Sequence, residues 1–361
     1  MDVLKLNSIS KLANPVLEGY NVTDTSENPV GILVRSFKMD EYALPSSVLA
    51  VARAGAGVNN IPHADYAKKG VCVFNTPGAN ANAVKELVIA ALIIGARNIS
   101  EAINWASILK GDDVAKQVEK GKSQFAGNEI AGKTLCVLGL GAIGRKVAIS
   151  AHALGMNVVG YDPFISQAAK EEIPFVTIFD DMKASWSDAD FVTLHMPMTP
   201  DTKGLVNEQS IATMKDGVIL VNAARGELCD VAAIKSALQS KKIRKYVVDF
   251  PGEECVGTSG IVAIPHLGAS TQEAEDNCAV MAATELKDYI ENGNITNSVN
   301  LPNLKAPKSA THRYTVISTD TGENRFGGIS ATRNGLRYTI VDTEDELTLS
   351  GDDVIKARKV Y

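Results

Sequence analysis

Short apolar runs alternate with helix-like segments along most of the chain. Seven runs rich in valine, leucine and isoleucine have the length and composition of strands that are buried on both faces of a parallel sheet. They lie at residues 31–36, 48–52, 71–75, 191–196, 218–222, 244–249 and 261–264. Repeated strand–helix units of this kind predict an α/β protein with doubly wound sheets and right-handed crossovers.

Two longer segments have helical periodicity. Residues 83–97 are apolar nearly all round, as in a helix buried between other elements, and residues 271–292 are amphipathic and end before Gly293. Their similar lengths indicate that the chain leaves a first lobe once and returns to it once. We therefore expect a discontinuous first lobe of residues 1–98 and 268–301, a second lobe of residues 99–267, and a linker with a short β-rich tail at residues 302–361. Residues 99–130 are expected to form a helical surface arm suited to contact between subunits.

A Gly-x-Gly-x-x-Gly turn interrupts an apolar strand that continues as a helix. Gly139 allows the tight turn, Gly141 lets backbone N–H groups approach a pyrophosphate, and Gly144 lets the helix pack on the strand. The start of the helix adds a partial positive charge that favours the anion. The pattern predicts a dinucleotide site formed by Gly139, Gly141, Ala142, Ile143 and Gly144.

The next strand predicts which dinucleotide is bound. Residues 157–161 form an apolar strand that ends in Asp162, at the distance from the glycines at which an acidic residue binds the adenosine ribose. No arginine follows closely, and a carboxylate repels a 2′-phosphate. We therefore expect NAD rather than NADP.

Composition excludes several classes of protein. The 361 residues are 45% hydrophobic and 22% charged, with a formal net charge of −6, so the chain lacks the basic character of a nucleic-acid-binding protein. No stretch is apolar for long enough to span a membrane, and the first residues do not resemble a signal peptide, so a cytoplasmic location is expected. The five cysteines are scattered without metal-ligand spacing, so we expect reduced thiols and no metal.

Hydride transfer to a nicotinamide requires a group that exchanges the hydroxyl proton and a cation that holds the polarised oxygen or a neighbouring carboxylate. His195 and His266 follow strands of the second lobe and are the two histidine candidates, with a purely structural role as the alternative for each. The turn that contains Glu253 and Glu254 favours His266, because a carboxylate there could orient and charge the ring. Arg225 also follows a strand of the second lobe and is the candidate for the cation.

Two arginines of the first lobe lie in equivalent places. Arg35 and Arg53 each come at the end of a predicted strand, and Arg53 is followed by the glycine-rich residues 54–57. Ligands of open parallel sheets bind outside the carboxyl ends of the strands, so both arginines are candidates for an anionic substrate. The alternative is that each arginine is a solvated strand end.

These motifs together resemble the D-isomer-specific 2-hydroxyacid dehydrogenases. Six ordered motifs between about residues 30 and 300 carry the resemblance: Arg53-Ala-Gly-Ala-Gly-Val-Asn-Asn60, Asn75-Thr-Pro-Gly78, Leu138-Gly-Leu-Gly-Ala-Ile-Gly144, His195-Met-Pro197, Asn222-Ala-Ala-Arg-Gly226 and Pro265-His-Leu-Gly-Ala-Ser-Thr271. The resemblance implies two Rossmann-like lobes, a flavodoxin-like one for substrate and one for NAD, with the active site in a cleft. It also implies a homodimer or homotetramer. The motifs are most similar to those of members that oxidise 3-phosphoglycerate at the start of serine synthesis.

The resemblance also implies roles for single residues. Arg225 would bind and polarise the substrate, His266 would be the acid and base, and Glu254 its partner. Further residues expected at the cofactor are His195, Pro197, Asn222, Ala223, Ala224, Asp249 and Gly268. Residues expected at the anionic substrate are Arg35, Ser36, Arg53, Ala54, Gly55, Ala56, Gly57 and Asn80.

The sequence departs from the family pattern in two places. After Asp249 the family usually has Val-Phe-x-x-Glu-Pro, whereas this chain has Phe-Pro-Gly-Glu-Glu-Cys. Counting from Arg225 without a gap gives Glu254 as the partner of His266, whereas aligning the phenylalanines gives Glu253. The tail resembles one strand of an ACT regulatory domain at residues 335–342, but it is too short for a complete serine-binding unit and could be a degenerate remnant.

Two other functions stay open from the sequence. Another member of the family, such as a hydroxypyruvate or glyoxylate reductase or a D-lactate dehydrogenase, would use the same Arg225 and His266 on an unphosphorylated substrate. The same fold also serves as an NAD-sensing corepressor, which would need partner-binding extensions that the sequence does not reveal.

Overall fold

The computed structural model describes all 361 residues, which form two compact units. The first unit contains residues 1–80 and 272–361, and the second contains residues 81–271. The strands are β1 (Asp2–Leu6), β2 (Asn21–Thr23), β3 (Gly31–Val34), β4 (Ala50–Arg53), β5 (Cys72–Phe74), β6 (Thr134–Leu138), β7 (Asn157–Tyr161), β8 (Thr177–Ile178), β9 (Phe191–Leu194), β10 (Val218–Asn222), β11 (Ile243–Val248), β12 (Ile261–Ala263), β13 (His312–Thr319), β14 (Ile329–Arg333), β15 (Leu336–Thr343) and β16 (Val354–Lys359). The helices are α1 (Ala13–Val16), α2 (His63–Lys68), α3 (Ala81–Arg97), α4 (Ile99–Ser107), α5 (Val114–Gly121), α6 (Ala142–Ala153), α7 (Gln167–Glu171), α8 (Met182–Trp186), α9 (Glu208–Ala212), α10 (Val231–Gln239) and α11 (Gln272–Asn292).

The first unit is built on a five-stranded parallel sheet in the order β2-β1-β3-β4-β5. Every residue of β3 is buried, which is why this strand is a continuous apolar run in the sequence. The long helix α11 supplies Cys278, Ala282 and Leu286 to the same core as Leu33 of β3. Because residues 81–271 separate α11 from the first sheet in the chain, the first unit is discontinuous.

The tail is a folded part of the first unit. Its four strands form an antiparallel sheet in the order β14-β15-β13-β16. Ile317, Tyr338 and Ile340 of this sheet belong to the core that α11 also enters. Arg313 is 1% exposed and bonds to Asp342 through two nitrogens, at 2.6 and 2.7 Å. Such a bidentate pair satisfies the buried charge.

The second unit contains a seven-stranded parallel sheet in the order β12-β11-β10-β9-β6-β7-β8. Helix α3 packs on this sheet through Val88 and Leu92, which share a core with Leu135 of β6. Gly95 permits the close approach, since a β-carbon there would lie 2.8 Å from the Ile219 side chain. None of the helices combines the length and apolar character needed to cross a membrane.

The predicted fold class is confirmed: two parallel α/β sheets with a short β-rich tail. All seven predicted strands form, whereas the short or partly polar β1, β2, β8 and β16 were not predicted. The compact units divide after residues 80 and 271, whereas the sequence predicted divisions after residues 98 and 267. Helix α3 belongs to the second unit because its apolar side chains join the core of the second sheet. The tail likewise joins the first unit, because its apolar side chains complete that core.

Candidate active site

Candidate residues of the second unit follow the carboxyl ends of its strands, which meet at one edge of the parallel sheet. Along this edge the strands come in the order β12, β11, β10, β9, β6 and β7. The residues that follow these strands are, in the same order, His266, Asp249, Arg225, His195, Gly139 and Asp162. Residues far apart in the sequence therefore form a single row.

The glycine turn has the geometry that the sequence predicts. Gly139 has a φ of +90°, and a β-carbon at Gly144 would lie 1.9 Å from the Gly139 carbonyl oxygen, so the start of α6 requires glycine at both positions. In contrast, a β-carbon at Gly141 would have no neighbour within 4 Å. The first bond of the helix runs from Arg145 N–H to the Gly141 carbonyl at 3.1 Å, so the N–H groups before it are available to an anion.

Asp162 lies next to this turn, after β7. Its carboxylate accepts a hydrogen bond from Leu140 N–H at 2.8 Å and another from Phe164 N–H at 2.9 Å. These bonds fix the carboxylate beside the glycine turn while leaving it partly exposed. The free N–H groups at the start of α6 can donate to a pyrophosphate, and the Asp162 carboxylate can accept from a ribose hydroxyl. The residues present therefore fit NAD.

Arg225 belongs to a turn that a buried amide supports. Asn222, fully buried at the end of β10, donates to the Arg225 carbonyl at 2.8 Å and accepts from Ala224 N–H at 3.1 Å. The Asn222 amide also donates to the Tyr246 hydroxyl at 3.3 Å. The Asn222 side chain therefore fixes the backbone of the turn at residues 223–225, while the Arg225 side chain stays partly exposed.

His266 is exposed and has a φ of +55°, which is uncommon for a residue with a side chain. Asp249, 2% exposed, holds this loop: its two carboxylate oxygens accept from Leu267 N–H at 2.7 Å and from Gly268 N–H at 2.8 Å. Burial raises the pKa of Asp249, and these two bonds oppose the shift. Both oxygens of Asp249 thus support the loop of His266 in this structure.

His195, the other histidine candidate, has a different environment. The ring Nε2 lies 3.0 Å from the Thr193 hydroxyl, and the backbone N–H of His195 donates to the Leu138 carbonyl at 2.7 Å, beside the glycine turn. Burial lowers the pKa of His195 to about 3. The ring is therefore neutral near pH 7 and poorly suited to act as an acid. Of the two histidines, His266 is the more exposed, and its role in proton exchange stays a prediction.

The structure does not bring a glutamate to His266. Glu253 and Glu254 lie in a short 3₁₀ turn, Glu253–Cys255, and neither carboxylate forms an ion pair with a histidine. The Glu254 carboxylate instead folds over Gly252, where it lies 2.5 Å from the position of a β-carbon on that glycine. The assignment of Glu254 or Glu253 as the partner stays a prediction.

The candidate anion site of the first unit follows the ends of β3 and β4. Arg35 forms an ion pair with Glu275 of α11 at 2.7 Å. Arg53 donates through Nε to the Arg35 carbonyl and to the Asn60 side-chain oxygen, both at 3.1 Å. The structure thus brings the two arginines together.

The remaining predicted residues of the first unit surround Arg53. Ala54 is buried, Gly55 has a φ of +153°, and a β-carbon at Gly55 would lie 2.4 Å from the Arg53 guanidinium. The Ala56 carbonyl accepts from the Asn75 amide at 2.5 Å. Ser36 is exposed, and Gly57 and Asn80 are partly buried. In the second unit, Pro197 is exposed and Ala223 is partly buried.

Three residues at these sites were not singled out from the sequence. Glu275 neutralises Arg35, Asn60 fixes the Arg53 side chain, and Phe250 contacts both Arg225 and His266. Asn60 lies inside one of the six motifs, and Phe250 lies in the segment after Asp249 that departs from the family pattern, so both positions carried a signal. Glu275 carried none, because it comes from a helix more than 200 residues away.

The second unit matches a known family. Residues 89–270, half of the chain, match the family described as D-isomer specific 2-hydroxyacid dehydrogenase, NAD binding domain. The chain belongs to this family. Its second unit is thus the NAD-binding domain of a D-isomer-specific 2-hydroxyacid dehydrogenase, and the predicted family and cofactor are confirmed.

Several curated proteins and solved structures are similar to this chain over most of its length. The D-3-phosphoglycerate dehydrogenase of Methanocaldococcus jannaschii is 38% identical over 72% of this chain and 48% of its own length. That of Synechocystis sp. is 36% identical over 72% of this chain and 46% of its own length. The chain spans about half the length of these curated relatives. Among solved structures, NAD⁺-bound 3-phosphoglycerate dehydrogenase of Entamoeba histolytica has a TM-score of 0.65 at 25% identity, with 83% of this chain and 98% of the other covered.

Proposed function

We propose that the protein is an NAD-dependent dehydrogenase that oxidises 3-phospho-D-glycerate to 3-phosphohydroxypyruvate, the first step of serine biosynthesis. The observation that carries this proposal is the row of strand ends, in which Arg225 and His266 share one edge with the dinucleotide turn. The names of the curated relatives support the choice of substrate. The paired arginines Arg35 and Arg53 support a phosphorylated substrate, since two guanidinium groups suit a dianion.

The reaction divides between two side chains of the second unit. Arg225 would bind the carboxylate of the hydroxy acid and hold the oxygen on C2, where negative charge develops. His266 would take the hydroxyl proton, because its ring is exposed and held by the Asp249-supported loop. NAD, held by Gly139–Gly144 and Asp162, supplies a hydride acceptor when bound.

The substrate is tested by the rate of NADH formation with 3-phosphoglycerate, glycerate, D-lactate and glycolate, each with NAD and with NADP. We expect 3-phosphoglycerate with NAD to have the highest kcat/KM. A higher value for an unphosphorylated acid would identify another member of the family, such as a glyoxylate or hydroxypyruvate reductase. Turnover of none of these acids would contradict the proposed reaction.

The role of His266 is tested by His266→Gln. We expect turnover to fall by about two orders of magnitude, because glutamine cannot exchange the proton, while the Kd for NADH stays within a factor of two. NADH binding is measured by fluorescence titration. Unchanged turnover would show that another group exchanges the proton, and His195→Gln then tests the remaining candidate.

The phosphate contact is tested by Arg35→Ala. Loss of a charged hydrogen bond should lower kcat/KM for 3-phosphoglycerate by at least about tenfold and leave that for glycerate nearly unchanged. Arg325→Ala is the matched control, because Arg325 is also a partly exposed, ion-paired arginine of the first unit. Equal losses for both substrates would contradict a phosphate contact at Arg35.

A further inference from the structure

Phe250 lies between the two side chains to which the proposed function assigns the chemistry. In the sheet, β11 pairs with β10 on one side and with β12 on the other. Phe250 follows β11, as Arg225 follows β10 and His266 follows β12. The strand order therefore places the aromatic ring between the guanidinium and the imidazole.

The distances agree with this order. The Arg225 guanidinium carbon lies 5.3 Å from the centroid of the Phe250 ring. The Phe250 and His266 ring centroids are 4.2 Å apart, with an interplanar angle of 44°. The ring is thus in contact with both groups.

The backbone around Phe250 is fixed on both sides. On the Arg225 side, a β-carbon at Gly226 would lie 2.9 Å from the Phe250 carbonyl oxygen, so the two loops approach as closely as glycine allows. On the His266 side, the preceding residue Asp249 binds the N–H groups of Leu267 and Gly268. One short segment therefore sets the position of the ring relative to both loops.

An aromatic ring beside both groups can reduce the repulsion between their positive charges. The guanidinium is permanently charged, and the imidazole becomes a cation when it takes the proton. A ring face attracts cations, whereas two cations in direct contact repel each other. No carboxylate forms an ion pair with His266 in this structure, and the side chain in ring contact with it is that of Phe250.

We propose that Phe250 is a positioning residue for Arg225 and His266: its ring keeps the two groups apart and aligned for the same substrate. This inference rests on the proposed function, because it assigns the reacting groups to Arg225 and His266. Phe250 itself exchanges no proton and binds no substrate atom. Its effect is therefore on the rate of the chemical step rather than on NAD binding.

The experiment compares Phe250→Leu, Phe250→Tyr and Phe175→Leu in the full chain. Leucine keeps an apolar side chain but removes the ring face, so kcat with 3-phosphoglycerate should fall at least about tenfold, with the KM for NAD unchanged. Tyrosine restores the ring and should bring kcat back to within about threefold of the wild type. Phe175 stacks on His152 at 4.1 Å, away from the site, so Phe175→Leu is the matched control for loss of a Phe–His contact and should leave kcat unchanged.

Three results would overturn the inference: an unchanged kcat in Phe250→Leu, a Phe250→Tyr variant as slow as Phe250→Leu, or an equal loss of kcat in Phe175→Leu. Should the wild type oxidise no 2-hydroxy acid at all, the proposed function fails separately. The ring-proton NMR signals of His266, assigned with His266→Gln, then decide whether Phe250 restricts that ring. Loss of the ring current in Phe250→Leu, with the His152 signals unmoved, supports the placement, and unmoved His266 signals overturn it.

Discussion

The buried carboxylate of Asp249 supports the loop that carries the exposed ring of His266. Asp249 is almost fully buried, yet it supports the loop of His266, because it accepts from the two N–H groups that follow the histidine. A carboxylate suits this place since it accepts through both oxygens. The positive φ of His266 needs such support, because an isolated chain rarely adopts it.

The substitution Asp249→Asn tests this support. An amide keeps one acceptor but turns an NH₂ group toward a backbone N–H, so we expect a loss of roughly 1–3 kcal/mol in the free energy of unfolding. We also expect kcat to fall by at least about tenfold, because the His266 loop would shift. Urea unfolding and steady-state kinetics measure the two effects. A variant with normal stability and normal kcat would show that the loop does not need the carboxylate.

Glu285 of α11 gives a second prediction for a single residue. Its carboxyl is 7% exposed, one oxygen accepts from the Asn297 amide at 2.6 Å, and the other has no partner. Burial raises the pKa of Glu285 to about 7 from its usual 4.5. The folded protein therefore retains a proton that the unfolded chain releases, and stability falls as the pH rises from about 4.5 to 7.

We expect Glu285→Gln to remove this dependence. The variant should be more stable than the wild type by roughly 1–3 kcal/mol at pH 8 and nearly equal to it at pH 4, because only the ionised carboxylate is penalised. Urea unfolding at both pH values provides the measurement. The exposed Glu273→Gln on the same helix is the control. An effect of the same size at both pH values would contradict the raised pKa.

Some residues of the candidate site could be predicted from the sequence, and others could not. The structure has Gly139 and Gly144 in the turn between β6 and α6 and Asp162 after β7, as the sequence indicates, because a local strand–turn–helix unit fixes these positions. Their contacts with NAD stay a prediction. The contact of Phe250 with both Arg225 and His266 was not predicted, because it depends on the order of three strands in the sheet. Local spacing does not contain that order.

At the scale of elements, the unit β6–turn–α6 shows two different reasons for a glycine. At Gly144 the obstacle to a side chain is the protein itself, because the Gly139 carbonyl occupies the space. At Gly141 the protein leaves the space open, and the obstacle would be the bound pyrophosphate. Gly144 is therefore needed for the packing of α6 on β6, whereas Gly141 is needed for the approach of the pyrophosphate.

We expect Gly141→Ala and Gly144→Ala to fail in different assays. Gly141→Ala should keep the thermal midpoint of the wild type but raise the Kd for NADH by at least about tenfold. Gly144→Ala should lose roughly 1–3 kcal/mol of stability, since α6 must move away from β6. Calorimetry and NADH fluorescence titration distinguish the two. Equal thermal shifts in both variants would contradict this separation.

The missed strands share a physical cause. Strands β1 and β16 mix apolar and polar residues without a regular period, and each buries only part of its surface. Strands β2 and β8 have three and two residues, too few for any periodicity. In contrast, the buried β9 and β10 were found because both faces are apolar.

At the scale of the whole molecule, the first unit depends on the tail. Tyr338 of β15 is fully buried, and its hydroxyl donates to the Gly293 carbonyl at 2.6 Å, just after α11. Its ring lies 6.3 Å from that of Tyr289 on α11. The sequence indicated strands in the tail but could not show what they pack against, because their partners lie elsewhere in the chain.

Tyr338→Ala should destabilise the first unit by roughly 3–5 kcal/mol, the usual effect of removing a buried aromatic ring. The Kd for NADH should stay within a factor of two, because the NAD-binding residues lie in the second unit. Ile329→Ala, at a 43% exposed position in the same sheet, is the control and should cost less than about 0.5 kcal/mol. Denaturant unfolding together with NADH titration measures both units. A normal stability for Tyr338→Ala would show that the tail sheet is dispensable.

The discontinuous first unit also sets the order of events on the ribosome. Residues 1–80 leave the ribosome before α11 and the tail strands that complete their core. The second unit is one uninterrupted segment, so it can fold as soon as residue 271 has left the exit tunnel. At usual rates of synthesis, the first 80 residues wait on the order of tens of seconds for their partners. During this interval the apolar strands of residues 1–80 lack the side chains that cover them in the folded unit, so we expect them to bind chaperones.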